Sequence, residues 1–163
     1  GKIKCNGLDI SNNYLSWRSN IGYVPQSIYL LNDTLKNNIA IGEFDEEIDI
    51  KRINRVIKES RLEEFVNKLP KGLNSLISES GINLSGGQIQ RIGIARALYR
   101  QPKILIFDEA TNSLDNKTEK EFMRIVNNLS KKKIIIFVTH NLSLLRNCTS
   151  LYELENSKFK KRN

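Results

Sequence analysis

Apolar residues follow two kinds of spacing along this chain, and the spacing changes from segment to segment. In the second half, short unbroken apolar runs alternate with stretches where apolar residues recur every three or four positions. "KILIF", Lys103–Phe107, is bounded by Pro102 and by the acidic pair Asp108–Glu109, and reads as a buried parallel strand. Phe122, Ile125, Val126 and Leu129 then share one helical face. "KIIIFVTH" predicts a second strand that ends at His140, followed by a short helix, and "SLYELENSKF" predicts a hairpin. Ser85 stands at an N-cap position before a helix that runs to about Arg100.

Upstream, "IKCNGLDI" carries Asn-Gly between short apolar segments, a hairpin signal. "IGYVPQ", Ile21–Gln26, predicts a strand halted by Pro25, and "NDTLKNNIAIG" a short helix capped by Asn32 or Asp33. From Glu46 to Leu69 the pattern is helical. Ile50, Ile53, Val56 and Ile57 form one stripe; Leu62, Phe65, Val66 and Leu69 form another, ended by Pro70–Gly72. Strand, helix, strand, helix in the second half argues for an α/β layer with a parallel sheet, preceded by a helical insert between about Asp45 and Leu84.

Composition narrows this little. At 163 residues the chain has one domain's worth of core, and its longest apolar run, Ile134–Val138, is strand length. No signal-peptide pattern is visible, and the opening "GKIKCNGLDI" lacks an initiator Met, the mark of a fragment or a processed product. Cys5 and Cys148 form neither a zinc pattern nor a disulfide framework, which fits a reducing compartment. The net charge of +8 fits an anionic partner or, more simply, solvated lysines on helix faces, and part of it sits in the tail Lys158–Asn163.

Candidate chemistry gathers where the predicted strands end, since open parallel sheets bind ligands beyond the carboxyl ends of their strands. Gln26, the pair Asp108–Glu109, and His140 each follow one such strand. A carboxylate there can hold Mg²⁺ directly or through water, a second can deprotonate water, and a histidine can bond a terminal phosphate. "LSGGQ", Leu84–Gln88, adds a hydroxyl and unhindered amides at a helix start, where the dipole favours an anion. Each feature alone is weak; their order along one chain is not.

"YVPQ", "LSGGQIQR", "ILIFDEATNSLD" and "IIIFVTH", in this order, resemble the ATP-binding cassette (ABC) ATPase domain of transporters over nearly the whole chain. The resemblance implies a P-loop-NTPase-like α/β core, a parallel sheet flanked by helices, with a helical subdomain. Residues 1–42 would be the remnant of the β-subdomain and Q-loop, 43–84 the helical subdomain, and 85–163 the remaining core. It casts Ser85, Gly86, Gly87 and Gln88 as the signature motif, Ile104–Asp108 as Walker B, and Glu109 as the catalytic glutamate. Gln26 becomes the Q-loop, Ser113–Asp115 the D-loop, and His140 the switch histidine. The cofactors implied are ATP and Mg²⁺, with Asp108 and Gln26 on the metal side and Asp115 bridging two cassettes. "NGLDI", "NDTLKNNIAIG" and "ISESGINLSGGQIQR" resemble the exporter branch, with Ser78–Gly81 contacting a transmembrane domain. That implies a place on the cytoplasmic face of the inner membrane and no nucleic-acid partner.

One family feature is not found in these residues: the P-loop, GxxxxGK followed by Ser or Thr. Gly1-Lys2 is followed by Ile3, and "GKIKCNGLDI" matches the hairpin that lies beyond the P-loop in the family. Trp17 reads as packing, not as an adenine stack. Family cassettes pair head to tail, so "SGG" would serve a nucleotide held by a partner's P-loop. The expectation is therefore the ATP-hydrolysing half of an exporter, fused to its membrane domain upstream, inactive as these residues alone. The alternatives are a non-catalytic cassette that completes a partner's site, and a soluble nucleic-acid-associated ATPase.

Overall fold

The computed structural model describes residues 1–77, 84–112 and 114–162. β1 (Lys4–Cys5) and β2 (Leu8–Asp9) pair antiparallel across Asn6-Gly7, whose φ values of 50° and 81° are those a type I′ turn demands. Asn13 caps α1 (Tyr14–Ser19), which leads into β3 (Ile21–Val24), and the ladder stops at Pro25 as expected. β4 (Asp33–Thr34) precedes α2 (Leu35–Ile39). The cap of α2 is Thr34, which accepts from the Asn37 amide, and not Asn32 or Asp33. Asp33 belongs to the strand pairing, and its carboxylate accepts from the Thr34 amide and Asn37 Nδ2.

The helical run expected from Glu46 to Leu69 divides into α3 (Ile50–Glu59) and α4 (Glu63–Lys68). Arg61, at φ 55°, breaks it between the two apolar stripes. β5 (Leu76–Ile77) returns to pair with β4. Then come α5 (Gly86–Tyr99), β6 (Ile104–Asp108), α6 (Asn116–Ser130) and β7 (Ile134–Val138). The short helix after His140 is a 3₁₀ segment, Leu142–Asn147. β8 (Leu151–Glu155) and β9 (Lys158–Arg162) form the last hairpin, turning at Asn156 and Ser157 with φ 49° and 60°.

β3, β6 and β7 form a parallel sheet in that order, with Val24 opposite Phe107 and Asp108 opposite Val138. This is the α/β layer the alternation predicts, with helices packed on the sheet. Strand periodicity of two sends Val24, Leu105 and Phe107 to one face, where all three are fully buried, each stabilising the fold by roughly 1.5–3 kcal/mol. α5 and α6 cover that face: Phe122 meets the Phe107 ring edge-on at 5.6 Å, and Phe137 stacks on Phe107 at 5.7 Å. Gly22 allows β3 to lie against α5, because a Cβ there would stand 2.7 Å from the Ala97 carbonyl oxygen. On the opposite face Tyr23, Ile134, Ile136 and Val138 remain largely exposed. α5 is the hub of the molecule, since it also packs against α2 and α3, and the Tyr99 hydroxyl accepts the Asp49 amide from the cap of α3.

Candidate functional site

The parallel register carries three strand ends to the same edge of the sheet. Pro25 and Gln26 follow Val24, Asp108 and Glu109 follow Phe107, and Thr139 and His140 follow Val138. Asp108, half-buried, accepts the Tyr23 hydroxyl on Oδ2 at 2.7 Å, across the boundary between β6 and β3. The carboxylate acceptor raises the Tyr23 phenol above its ordinary value. Among the described residues no hydrogen bond engages Asp108 Oδ1.

Glu109 leaves the strand with φ at 48°, a left-handed conformation that costs a residue with a Cβ about 1–2 kcal/mol. Its amide still bonds the Val138 carbonyl at 2.9 Å, which anchors the bend to β7. The bend turns the carboxylate toward two partners. His140 Nε2 lies 2.6 Å from Oε1, and Asn112 Nδ2 donates to Oε2 at 2.6 Å. The histidine side chain is 88% exposed and that of the glutamate 21%, so the pair has a sheltered carboxylate and an imidazole open to an incoming ligand. A carboxylate in this position can take a proton from water, and the imidazole N–H can donate to an anion. Strain of this kind concentrates where a side chain must be aimed against its backbone preference.

A second group forms where the N-termini of α5 and α6 converge. Ser85 caps α5 in a reciprocal box: its hydroxyl accepts from the Gln88 amide, and the Gln88 side chain accepts from the Ser85 amide at 2.8 Å. Asp115 caps α6, accepting from the Lys117 and Thr118 amides and, at 2.6 Å, from the Thr118 hydroxyl. The Thr118 hydroxyl, then the backbone amides, hold the Asp115 carboxyl below its ordinary value. Gly87 permits the convergence, because a Cβ there would meet Thr118 Cγ2 at 2.5 Å. Between the two helix starts lies an open polar cleft of about 240 Å³, lined by Ser85, Gly87, Gln88, Arg91, Lys117, Thr118 and Glu121. Arg91 pairs with Glu121, whereas Lys117 makes no ion pair among the described residues. Two positive helix ends and a lysine make this cleft suited to an anion.

Gln26, Asp108, Glu109 and His140 are therefore gathered at the sheet edge, while Ser85, Gly86, Gly87, Gln88 and Asp115 gather at the helix starts. Asp115 is occupied as a cap, a local role that the motif spacing did not suggest. Ser113 and the expected membrane-contact segment Ser78–Gly81 lie outside the described residues. Tyr23, Asn112 and Lys117 enter the site without having been singled out from the sequence. Asn112 was within reach of sequence reasoning, since it stands three residues after Glu109. Tyr23 was not, because its partner is 85 residues away. For a metal, no cluster of three or more His, Cys, Asp or Glu is placed to bind one among the described residues. Asp108 with an uncommitted oxygen fits Mg²⁺ whose other ligands are phosphate and water.

A family model described as ABC transporter matches residues 1–112. The chain is 39% identical, over 163 residues, to the ATP-dependent lipid A-core flippase of Pasteurella multocida, covering 99% of this chain and 28% of that protein. It is 37% identical to P-glycoprotein 14 of Caenorhabditis elegans, across 95% of this chain and 12% of that one. A bacterial Atm1-family ABC exporter solved with ATP bound superposes with a TM-score of 0.83 at 33% identity, over 98% of this chain and 28% of the exporter. The chain thus spans no more than about a third of these relatives' lengths.

Proposed function

This chain belongs to the ABC transporter family, and from that premise we propose that it hydrolyses ATP to drive an exporter-type transporter, paired head to tail with a second cassette. The observation that carries the reading is the strained Glu109 held between His140 and Asn112 beside Asp108, at the ends of three adjacent parallel strands. In phosphoryl transfer the protein contributes mainly positioning and charge stabilisation, and these residues supply both. Glu109 polarises the attacking water, and the exposed His140, which holds that carboxylate through Nε2, turns the same N–H to the terminal phosphate when one is bound. Tyr23 holds one oxygen of Asp108. Asp108 and Gln26 would hold Mg²⁺, which supplies neutralisation of phosphate charge when it is bound with ATP.

The helix-start cleft serves the other nucleotide of the pair. Ser85, Gly86, Gly87 and Gln88 present a hydroxyl and amides to a phosphate that the partner cassette holds, and Asp115 lies at the same face. Work done by closure of the pair passes to a transmembrane domain, which places the chain at the cytoplasmic face of the membrane. No helix among the described residues is long and apolar enough to cross a bilayer.

Glu109 is tested by Glu109→Gln in a cassette where residues 1–163 follow a P-loop, with turnover expected to be abolished. The shared site is tested by turnover of residues 1–163 alone, and again after mixing with an exporter cassette that carries its own P-loop but has its signature serine replaced. The chain alone is expected to show no saturable ATP hydrolysis. The mixture is expected to hydrolyse ATP, and Ser85→Glu, which sets a negative charge against the phosphate, is expected to abolish that gain. Pairing with no gain in turnover would defeat the shared-site reading.

A further inference from the structure

α5 does more than present Ser85–Gln88. From its second turn onward, Gln90, Gly93 and Arg96 recur at three-residue spacing and meet the segment that follows β3. Gln90 is 3% exposed, and its Nε2 donates to the Gln26 carbonyl at 3.1 Å. A backbone carbonyl only accepts, so the chemistry decides which end of the Gln90 amide faces it. Gly93 leaves the space that Ile28 fills, since a Cβ there would meet Ile28 Cδ1 at 2.5 Å. Arg96 donates to the Tyr29 carbonyl and the Asn38 carbonyl, each at 2.9 Å. Asn38, fully buried, holds Leu31 by both its amide and its carbonyl.

Residues 28–31 are thus fastened by packing and by several hydrogen bonds, whereas the exposed Gln26 is fastened by Gln90. The cost of this fastening is visible: Gln90 Oε1 is buried and has no hydrogen-bond partner among the described residues. An apolar side chain of the same shape would avoid that cost. A buried amide with half its capacity unmet calls for a reason other than stability.

We propose that Gln90 is a positioning residue that ties Gln26 to α5, so that Gln26 is held against the helix that carries Ser85–Gln88 at its start. The inference rests on the reading of Gln26 and Ser85–Gln88 as site residues, but its test measures no ATP turnover and so stands or falls separately. The test is ¹⁵N relaxation of the 163-residue chain, wild type against Gln90→Leu. In the variant, backbone order parameters at Gln26 and Ser27 are expected to fall from about 0.85 to below about 0.6. Those at Tyr29, Leu31 and along α5 are expected to hold, with the thermal midpoint unchanged or raised. Unchanged order at Gln26, or loosening that spreads through α5, would overturn the proposal. A measurement on the wild type needs no variant to fold. Solvent exchange of the Gln90 side-chain amide protons is expected to be strongly slowed, and exchange as fast as that of an exposed glutamine would equally overturn it.

Discussion

The two groups of site residues are held by opposite means. At the helix starts, polar groups satisfy one another within three residues, Ser85 with Gln88 and Asp115 with Thr118. At the sheet edge every anchoring partner but Asn112 comes from another strand or the residues just beyond its end: Tyr23 for Asp108, His140 for Glu109, and the Val138 carbonyl for the Glu109 amide. The bonds of the first group need only that each helix form, and its one tertiary requirement is the close approach of α5 and α6 that Gly87 permits. The second is a property of the register of β3, β6 and β7, and it inherits the stability of the core beneath it. The Glu109 carboxylate is aimed by the part of the fold that cannot drift without unfolding.

The largest expected effect comes from cutting that core. Phe107→Ala removes the ring on which Phe122 and Phe137 pack and should cost about 3–5 kcal/mol in denaturant unfolding. The Glu109–His140 pair is expected to disappear with the cooperative transition and not before it. A histidine signal lost well ahead of global unfolding would break the contrast drawn here. Next in size, Ser85→Ala removes the α5 cap and should cost about 1 kcal/mol, with spectral changes confined to the helix starts and none at His140.

Smaller still is the effect of relieving the strained bend. Glu109→Gly gives the left-handed φ of 48° to the residue that tolerates it, and should raise stability by roughly 0.5 kcal/mol while removing the His140 partner. A loss of stability would mean that the Glu109 contacts outweigh the strain. The last prediction concerns pH. The folded carboxyl of Asp115 lies below its ordinary 3.8, so it stabilises the fold above that value, and the contribution is lost as pH falls through the lower folded value. The difference in melting temperature between wild type and Asp115→Ala should therefore be constant near neutrality and should narrow below about pH 3.8. A difference independent of pH would mean that the cap acts through its shape and not its charge.

The same division governs what was readable in advance. The hairpin at Asn6-Gly7, the strand end at Pro25, the Ser85 cap and the buried stripe of α6 all follow from spacing within one element. Spacing points to Asn32 or Asp33 as the cap of α2 where Thr34 serves, because adjacent Asn, Asp and Thr are all competent caps. Strand pairing then drew Asp33 into β4. The break at Arg61 was marked only by the change of stripe, since no proline or glycine signals it.

By itself the sequence determined the longer elements, their order and the residue types at each strand end, though not α1 or the short β4–β5 pair, because period, caps and turns are relations between neighbours along the chain. Only the tertiary structure decided that Tyr23 bonds Asp108, that Glu109 bends toward His140, and that Gln90 lies under Gln26. Those contacts depend on which strands pair, in what register, and which helix face meets them. That choice is made by burying Val24, Leu105 and Phe107 beneath α5 and α6, a free energy summed over the whole core that no local spacing records.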